Sequence, residues 1–323
     1  MRAVCVIGLG LIGGSLLRAV AATGRRAWGA TASEADAADA AAAGFEVSDV
    51  DTALRRAGEE NALIVLAVPL PAVESVARRV AELAPHCPLT DVTSVKAPVA
   101  DLLSRRAPNP FVGGHPMAGS SESGWSAGAA DLFHGAAWVV TVDDGTDPSV
   151  WREVAGLALS CGAHVVPATA AAHDDAVGRI SHLPHILAAV LAACGADGGP
   201  LALALAAGSF TDGTRVAGTR PELVVAMCEG NRAALLDAVD DALGRLGAAR
   251  GALASTGGLR ATITAGHSGR TALEAHRAQP TSPVTIDLDA PDALADLRDL
   301  GAAGGRVIRL DGHHAVGELP DGE

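Results

Sequence analysis

His115 stands between two glycines and a proline, in the run Gly113-Gly114-His115-Pro116-Met117-Ala118-Gly119. Imidazole is the side chain whose ordinary proton affinity suits acid–base work at neutral pH, and this frame specifies the backbone tightly around it. A lone histidine so placed most often only satisfies a turn. Its company argues for chemistry. Ser94 follows the strand-like run Leu89-Thr90-Asp91-Val92; Ser181, His182 and His185 fall within five residues; and Arg215 ends the run Gly208-Ser209-Phe210-Thr211-Asp212-Gly213-Thr214-Arg215.

Each group carries a plain reading beside the chemical one. A serine at a strand end is as often a helix cap as a ligand to a reacting hydroxyl. Ser181 and His185 are four apart and share a helix face. Pro184 cannot donate to the carbonyl of Ile180, so the helix should kink there and leave a polar group free. Two histidines, a serine and an unpaired carbonyl are costly in a core unless water or ligand reaches them. Arg215 is predicted on a flexible loop, where its guanidinium could fork onto a carboxylate with Asp212 and Thr214 positioning it; the alternative is an ordinary ion pair with Asp212. Thr219 through Glu222 has the capping-box pattern that would start the next helix.

The elements that must position these groups begin at the N-terminus. Ala3 to Ile7 reads as a buried strand opening into Gly8-Leu9-Gly10-Leu11-Ile12-Gly13-Gly14-Ser15, and an apolar-periodic helix follows. Gly8 lets the chain turn, Gly10 lets a pyrophosphate approach the backbone around Leu11 and Ile12, and Gly13 lets helix and strand pack closely. The phosphates would sit at the helix's positive end. A second strand is expected at Ala27 to Ala30. At its end, where an acid usually binds the adenosine ribose, the sequence offers Thr31 with no carboxylate before Glu34. That leaves NADP open beside NAD; no arginine follows at once to hold a 2′-phosphate, which favours NAD. The run Leu63 to Val68, ending at Pro69, is apolar throughout, as a strand covered on both faces must be. Ser94, Val68 and Pro69 should therefore face the cofactor beyond the strands' carboxyl ends. Phe111-Val112 reads as a further strand leading into the His115 loop.

The 323 residues suit two domains and a short appendage: a doubly wound α/β unit over 1–167, an all-helical unit over 168–279, and a strand-helix-strand tail over 280–323. The tail's strands are Val284 to Leu288 and Val307 to Leu310, and the paired His313 and His314 read as surface. Hydrophobic residues make up 49% of the chain but aromatics only 2%, so the core must be alanine, leucine and valine. The helical unit holds more of these than one layer can bury, which a homodimer would cover. A formal charge of −13 argues against nucleic acid or an anionic membrane as partner and points to a small molecule. Met1-Arg2-Ala3-Val4 runs straight into a strand, no apolar run is expected to span a membrane, and five scattered cysteines read as packing in a reduced, cytoplasmic protein with no metal site.

Taken in order, G-L-G-L-I-G-G-S, D-V-T-S-V-K, G-G-H-P-M-A-G, S-H-L-P-H and G-S-F-T-D-G-T-R resemble the prephenate dehydrogenase family, which includes the arogenate dehydrogenases. The resemblance runs from Gly8 to the end of the helical unit. It implies oxidation of the ring hydroxyl of prephenate, hydride transfer to a nicotinamide and loss of the ring carboxylate as carbon dioxide. His115 would accept the hydroxyl proton and Ser94 would bond the same hydroxyl or orient the imidazole. Arg215 would hold a substrate carboxylate, with Ser181, His182, His185, Asp212 and Gly208 around it. His185 favours prephenate, because members restricted to arogenate often lack a histidine there. Three departures qualify the resemblance: the acid usual near Thr31 is missing; Ser121 then Glu122 stand where many relatives place a glutamate two residues after the glycine matching Gly119; and Val224 replaces a tryptophan that some relatives contribute from a partner subunit. Two other readings stay open: a hydroxyacid or imine reductase, which commonly relies on a lysine or aspartate in the interdomain helix, and a nucleotide-sensing protein without turnover.

Overall fold

The computed structural model describes residues 1–120 and 122–322. The chain opens with β1 (Val4–Ile7), α1 (Leu11–Ala22), β2 (Ala27–Ala30), α2 (Glu34–Ala42), β3 (Val47–Ser48), α3 (Val50–Glu60), β4 (Leu63–Leu66), α4 (Leu70–Leu83) and β5 (Leu89–Asp91). The five strands form one parallel sheet in the order β3-β2-β1-β4-β5. Helices cover both of its faces, so β1 and β4 are apolar and buried at every position. Strand order reverses between β1 and β4, which opens a crevice beyond their carboxyl ends.

After α5 (Ala97–Arg106) come β6 (Gly114–Pro116), β7 (Ala137–Thr141), α6 (Pro148–Ser160) and β8 (His164–Ala168). They belong to a second, mixed sheet: β6 runs antiparallel to β7, and β7 parallel to β8. The strand expected at Phe111-Val112 is only an isolated parallel bridge from Phe111 to Leu89. The pairing shifts onward, so His115 itself sits on an edge strand rather than a loop, opposite Val139.

The tail holds one strand more than expected. β9 (Thr281–Asp287) and α14 (Ala293–Ala302) lead to β10 (Arg306–Asp311) and then β11 (His314–Pro320), which folds back on β10. His313-His314 thus marks a hairpin, and His314 opens a strand paired with β9 as well. β10 joins β8 through Val307 and Val165, completing a six-stranded sheet. Ile286, Leu297, Leu300 and Val307 pack into the same core as Val4, Leu16 and Trp151.

Between β8 and β9 the chain is helical: α7 (Ala170–Val177), α8 (Leu183–Asp197), α9 (Gly199–Ala204), α10 (Gly208–Thr214), α11 (Pro221–Gly230), α12 (Arg232–Ser255) and α13 (Arg260–Ala278). The expected kink near Pro184 takes another form. Gly178–His182 is a π-helical turn joining α7 to α8, an inserted residue that accommodates the proline's missing N–H without breaking the axis. Ala170–Asp197 is thereby one helical run of 28 residues, long and apolar enough by composition to cross a membrane, contrary to the sequence expectation. Gly208–Thr214, expected as a loop, is helical because Phe210 lies against the bare face of α8 at Gly195, where a Cβ would collide with its ring. The Thr219–Glu222 capping box does not form. Arg220 occupies the cap without a side-chain bond and Pro221 starts α11, a proline being suited to a first helical position. Cys194 is exposed, whereas the other four cysteines are buried as expected.

Candidate active site

The glycine loop after β1 fits a dinucleotide. Gly8 has φ +104°, and a Cβ there would collide with the Ala67 carbonyl. At Gly13 a Cβ would collide with the Gly8 carbonyl and stand 2.8 Å from Ala67 Cβ. These two glycines let α1 lie against β1 and β4. Gly10 is different: nothing lies within 4 Å of where its Cβ would be, so the backbone faces open space. It caps α1 with no side-chain bond, and the first turn carries no acid. The free amides around Leu11 and Ile12 thus point into a gap that a phosphate can fill. Val68 Cγ1 lies 3.1 Å from the Gly8 Cβ position, and Pro69 caps α4. At the end of β2, the Ser33 amide bonds Thr31 Oγ1 at 3.3 Å while Ser33 itself caps α2. The hydroxyls at this end thus serve the turn as well as any ribose.

His115 lies beyond the carboxyl end of β5, two strands across from that cradle. The Gly114 amide donates to Asp91 Oδ1 at 3.1 Å, and the buried Lys96 ammonium bonds the Gly114 carbonyl at 2.6 Å and pairs with Asp91. This fixes the backbone on which His115 rides. His115 Nδ1 lies 2.8 Å from His173 Nε2, and His173 Nδ1 lies 2.7 Å from Asp174 Oδ1. Asp174 also accepts the amides of Lys96 at 2.8 Å and Ala97 at 2.9 Å, so the first helix of the helical unit is tied to the start of α5. Burial first, then the repulsion that a protonated His173, the Lys96 ammonium and a protonated His182 would add, hold the His115 imidazole well below its ordinary proton affinity. The ring is therefore neutral at physiological pH. Burial alone would raise the Asp174 carboxyl, but the bonds from His173 and the two amides outweigh it and keep the group ionised.

Of the residues singled out by sequence, Ser94 lies half-buried on the same segment as Lys96, beyond β5. Ser181, half-buried, and His182 lie on the π turn, and His185 on the first turn of α8. His182 is fully buried, with Nδ1 accepting from Asn231 Nδ2 at 3.0 Å; the same amide nitrogen donates to the Asp174 carbonyl at 2.6 Å. His182 thus stands behind the surface of the site rather than on it. His185 keeps Nδ1 buried without a partner. It is near Arg215, whose charge adds to burial in lowering its proton affinity. Arg215 is exposed on the turn after α10, and among the described residues it pairs with no carboxylate, so the alternative reading, an ordinary ion pair with Asp212, is not what forms. Gly208 and Asp212 are exposed on α10. Val224 is half-buried on α11 and Glu122 is exposed, its amide bonding Ser120 Oγ; Ser121 lies outside the described residues.

Sequence reasoning missed His173, Asp174 and Asn231, and took Lys96 only as part of a strand end. The available signal was His173-Asp174 itself, two polar residues in an alanine-rich helix, both buried. Nothing in their spacing pointed to a histidine 58 residues upstream.

The family profile described as "Prephenate dehydrogenase, nucleotide-binding domain" matches residues 18–167, and that described as "Prephenate dehydrogenase, dimerization domain" matches residues 169–257. A crystal structure of a candidate prephenate dehydrogenase from Corynebacterium glutamicum is 44% identical, with TM-score 0.88 over 94% of this chain and 98% of that one. Prephenate dehydrogenase of Bacillus subtilis is 33% identical over 250 residues, 74% of this chain but 66% of the relative, so the chain spans just under two thirds of that protein's length. Cyclohexadienyl dehydrogenase of Zymomonas mobilis is 33% identical over 269 residues, 79% of this chain and 89% of the relative. With both halves matched in order, the chain belongs to the prephenate dehydrogenase family.

Proposed function

We propose that the protein is an NAD-dependent prephenate dehydrogenase of tyrosine biosynthesis, acting as a cytoplasmic homodimer paired through the helical unit. The observation that carries the reading is a neutral, hydrogen-bonded imidazole placed two strands from a glycine cradle whose Gly10 backbone is open. Gly8, Gly10, Leu11, Ile12, Gly13, Thr31, Val68 and Pro69 would hold the cofactor, and bound NAD supplies the hydride acceptor. His115 removes the proton from the ring hydroxyl as hydride leaves its carbon, because that departure is easy only as negative charge builds on the oxygen. Ser94 bonds the same oxygen or the imidazole. The ring carboxylate then leaves as carbon dioxide, its bonding pair completes the aromatic ring, and the new phenolic oxygen recovers the proton from His115. Arg215 grips a substrate carboxylate, with Ser181 and His185 beside it, Asp212 and Gly208 on the adjoining helix and His182 supporting from below.

Arogenate, with an amine in place of the ketone, is the second reading, favoured by the relative named a cyclohexadienyl dehydrogenase. Purified protein mixed with NAD or NADP and either substrate, followed by the absorbance of reduced cofactor, decides among them. Reduction with prephenate and NAD is expected. Nucleotide binding without reduction by either substrate would leave a sensor.

A further inference from the structure

His115 joins the first half of the molecule to the second through a row of three side chains, and the end of that row dictates the state of its beginning. An ionised carboxylate only accepts hydrogen bonds. Asp174 Oδ1, 2.7 Å from His173 Nδ1, therefore requires a proton on Nδ1. Neutral imidazole carries one N–H, so His173 Nε2 has a lone pair and must accept. Its neighbour at 2.8 Å, His115 Nδ1, must then donate, which leaves the lone pair of His115 on Nε2. Asp174 cannot turn away, because the Lys96 and Ala97 amides hold both of its oxygens.

We propose that His173 and Asp174 are positioning residues that hold His115 as the Nδ1–H tautomer, the one able to take a proton on Nε2, and that His173 receives the Nδ1 proton of His115 when it does. The balance closes within the chain. A proton arrives at His115 Nε2, the Nδ1 proton crosses to His173 Nε2, and the positive charge comes to rest on His173 against the Asp174 carboxylate. When His115 gives its Nε2 proton back to the product oxygen, His173 returns the other to Nδ1, and no proton is released. Other charged or titratable groups near His115 are the Lys96 ammonium, paired with Asp91 at the end of β5, and His182 on the π turn. Both oppose a positive charge on His115, and only His173 has a carboxylate bonded behind it.

The tautomer holds whether or not prephenate is the substrate, whereas the kinetic effect rests on His115 being the base proposed above. Ring nitrogen shifts of the full-length protein, with the His115 signal assigned by its loss in His115→Gln, should show the Nδ1–H form at pH 7.5. In Asp174→Asn and in His173→Phe, which keeps a packed ring without nitrogens, His115 should revert to the Nε2–H form that predominates in water. In the reaction, kcat should fall about 10- to 100-fold in both variants with the KM values for NAD and prephenate within about twofold, and the acid limb of the pH profile of Asp174→Asn should move to lower pH. An Nε2–H tautomer in the unaltered protein, or variants that keep the Nδ1–H form, would overturn the proposal. A correct tautomer with no turnover of prephenate would instead remove the reading of function and leave the relay standing.

Discussion

Every residue of β1 and β4 is shut away from water, whereas α12, a helix of 24 residues, buries only Leu235 and Ala238. The contrast extends across both halves. The nucleotide-binding half, with the tail sheet attached, closes over two continuous apolar cores. The helical half leaves Leu201, Leu205, Leu236, Leu243, Leu246 and Ile263 each more than half exposed. So many exposed apolar side chains on one half point to association, and residues 169–257 match a dimerization domain. The first half buries its apolar residues within one chain, whereas the second leaves many of its own exposed. His115, bonded across the boundary, belongs to both.

The largest expected effect is at that boundary. His115→Ala should lower turnover about 10²- to 10⁴-fold, the usual worth of a general base, while NAD affinity stays within about twofold, because the glycine cradle lies two strands away from it. Steady-state kinetics and calorimetric titration of NAD give the two numbers. Loss of cofactor affinity in proportion to turnover would mean that His115 supports the cradle as well.

The next pair of variants tests the contrast directly. Ile64 in β4 is fully buried, and Ile64→Ala should cost about 2–5 kcal/mol of stability from lost transfer energy and an unfilled cavity. Leu243 and Leu246 are 59% and 58% exposed. Within one chain their replacement by glutamate should change stability by roughly 0.5 kcal/mol or less, yet in the dimer it would bury two charges. Light scattering should therefore show the double variant as a monomer with its thermal unfolding of the first half unchanged. A double variant that remains dimeric would place the interface elsewhere on the helical half.

The same contrast explains what could be read from sequence. Where burial is complete within the chain, pattern and structure agree: the glycine loop and the strands at Val4–Ile7 and Leu63–Leu66 lie where residue type alone puts them, whereas His115, expected in a loop, sits on the edge strand β6. Where packing partners are distant in sequence, the pattern is silent or misleads. Gly208 to Thr214 has loop composition but is helical, since Phe210 finds Gly195 and Leu191 Cδ2 comes within 2.9 Å of the Cβ position at Gly213. The links from His115 to His173 and from Asn231 to His182 join residues 58 and 49 positions apart, with no periodicity to announce them. Pro184 signalled a helix irregularity but could not say that a π turn rather than a kink would result.

Arg215 carries a smaller effect. It is exposed, lies near His185 and pairs with no acid among the described residues, as suits a guanidinium reserved for an incoming carboxylate. Arg215→Ala should raise the KM for prephenate by the value of a charge-assisted bond, about 2–3 kcal/mol or roughly 30- to 150-fold, with kcat changed far less. A KM close to that of the unaltered enzyme would put the substrate's carboxylate out of its reach, and the helical half would then have to supply another cation, from a partner subunit if not from this chain.

The smallest effect concerns the packing inside the helical half, behind the bonds that tie it to the first half. His182 is fully buried against Asn231, and burial foremost, then His173 and His185, lowers its proton affinity from an ordinary 6.5 to about 4 despite the opposing pull of Asp174. A histidine depressed on folding costs nothing above its unfolded value, where both states are neutral. Between about 6.5 and about 4 the unfolded chain binds a proton that the folded chain refuses, so stability drops across that window and stops dropping below it. His115 and His185 are depressed as well and act with the same sign, so the total fall in Tm is not a measure of His182 alone. The difference between the unaltered protein and His182→Gln is. The variant should start from a lower Tm at pH 7.5, having lost a packed ring, yet lose less of it on going to pH 4.5. Parallel curves would show that the Asn231–His182 contact opens before acid reaches it, which would make the helical half's packing behind Asp174 looser than the bonds around it indicate.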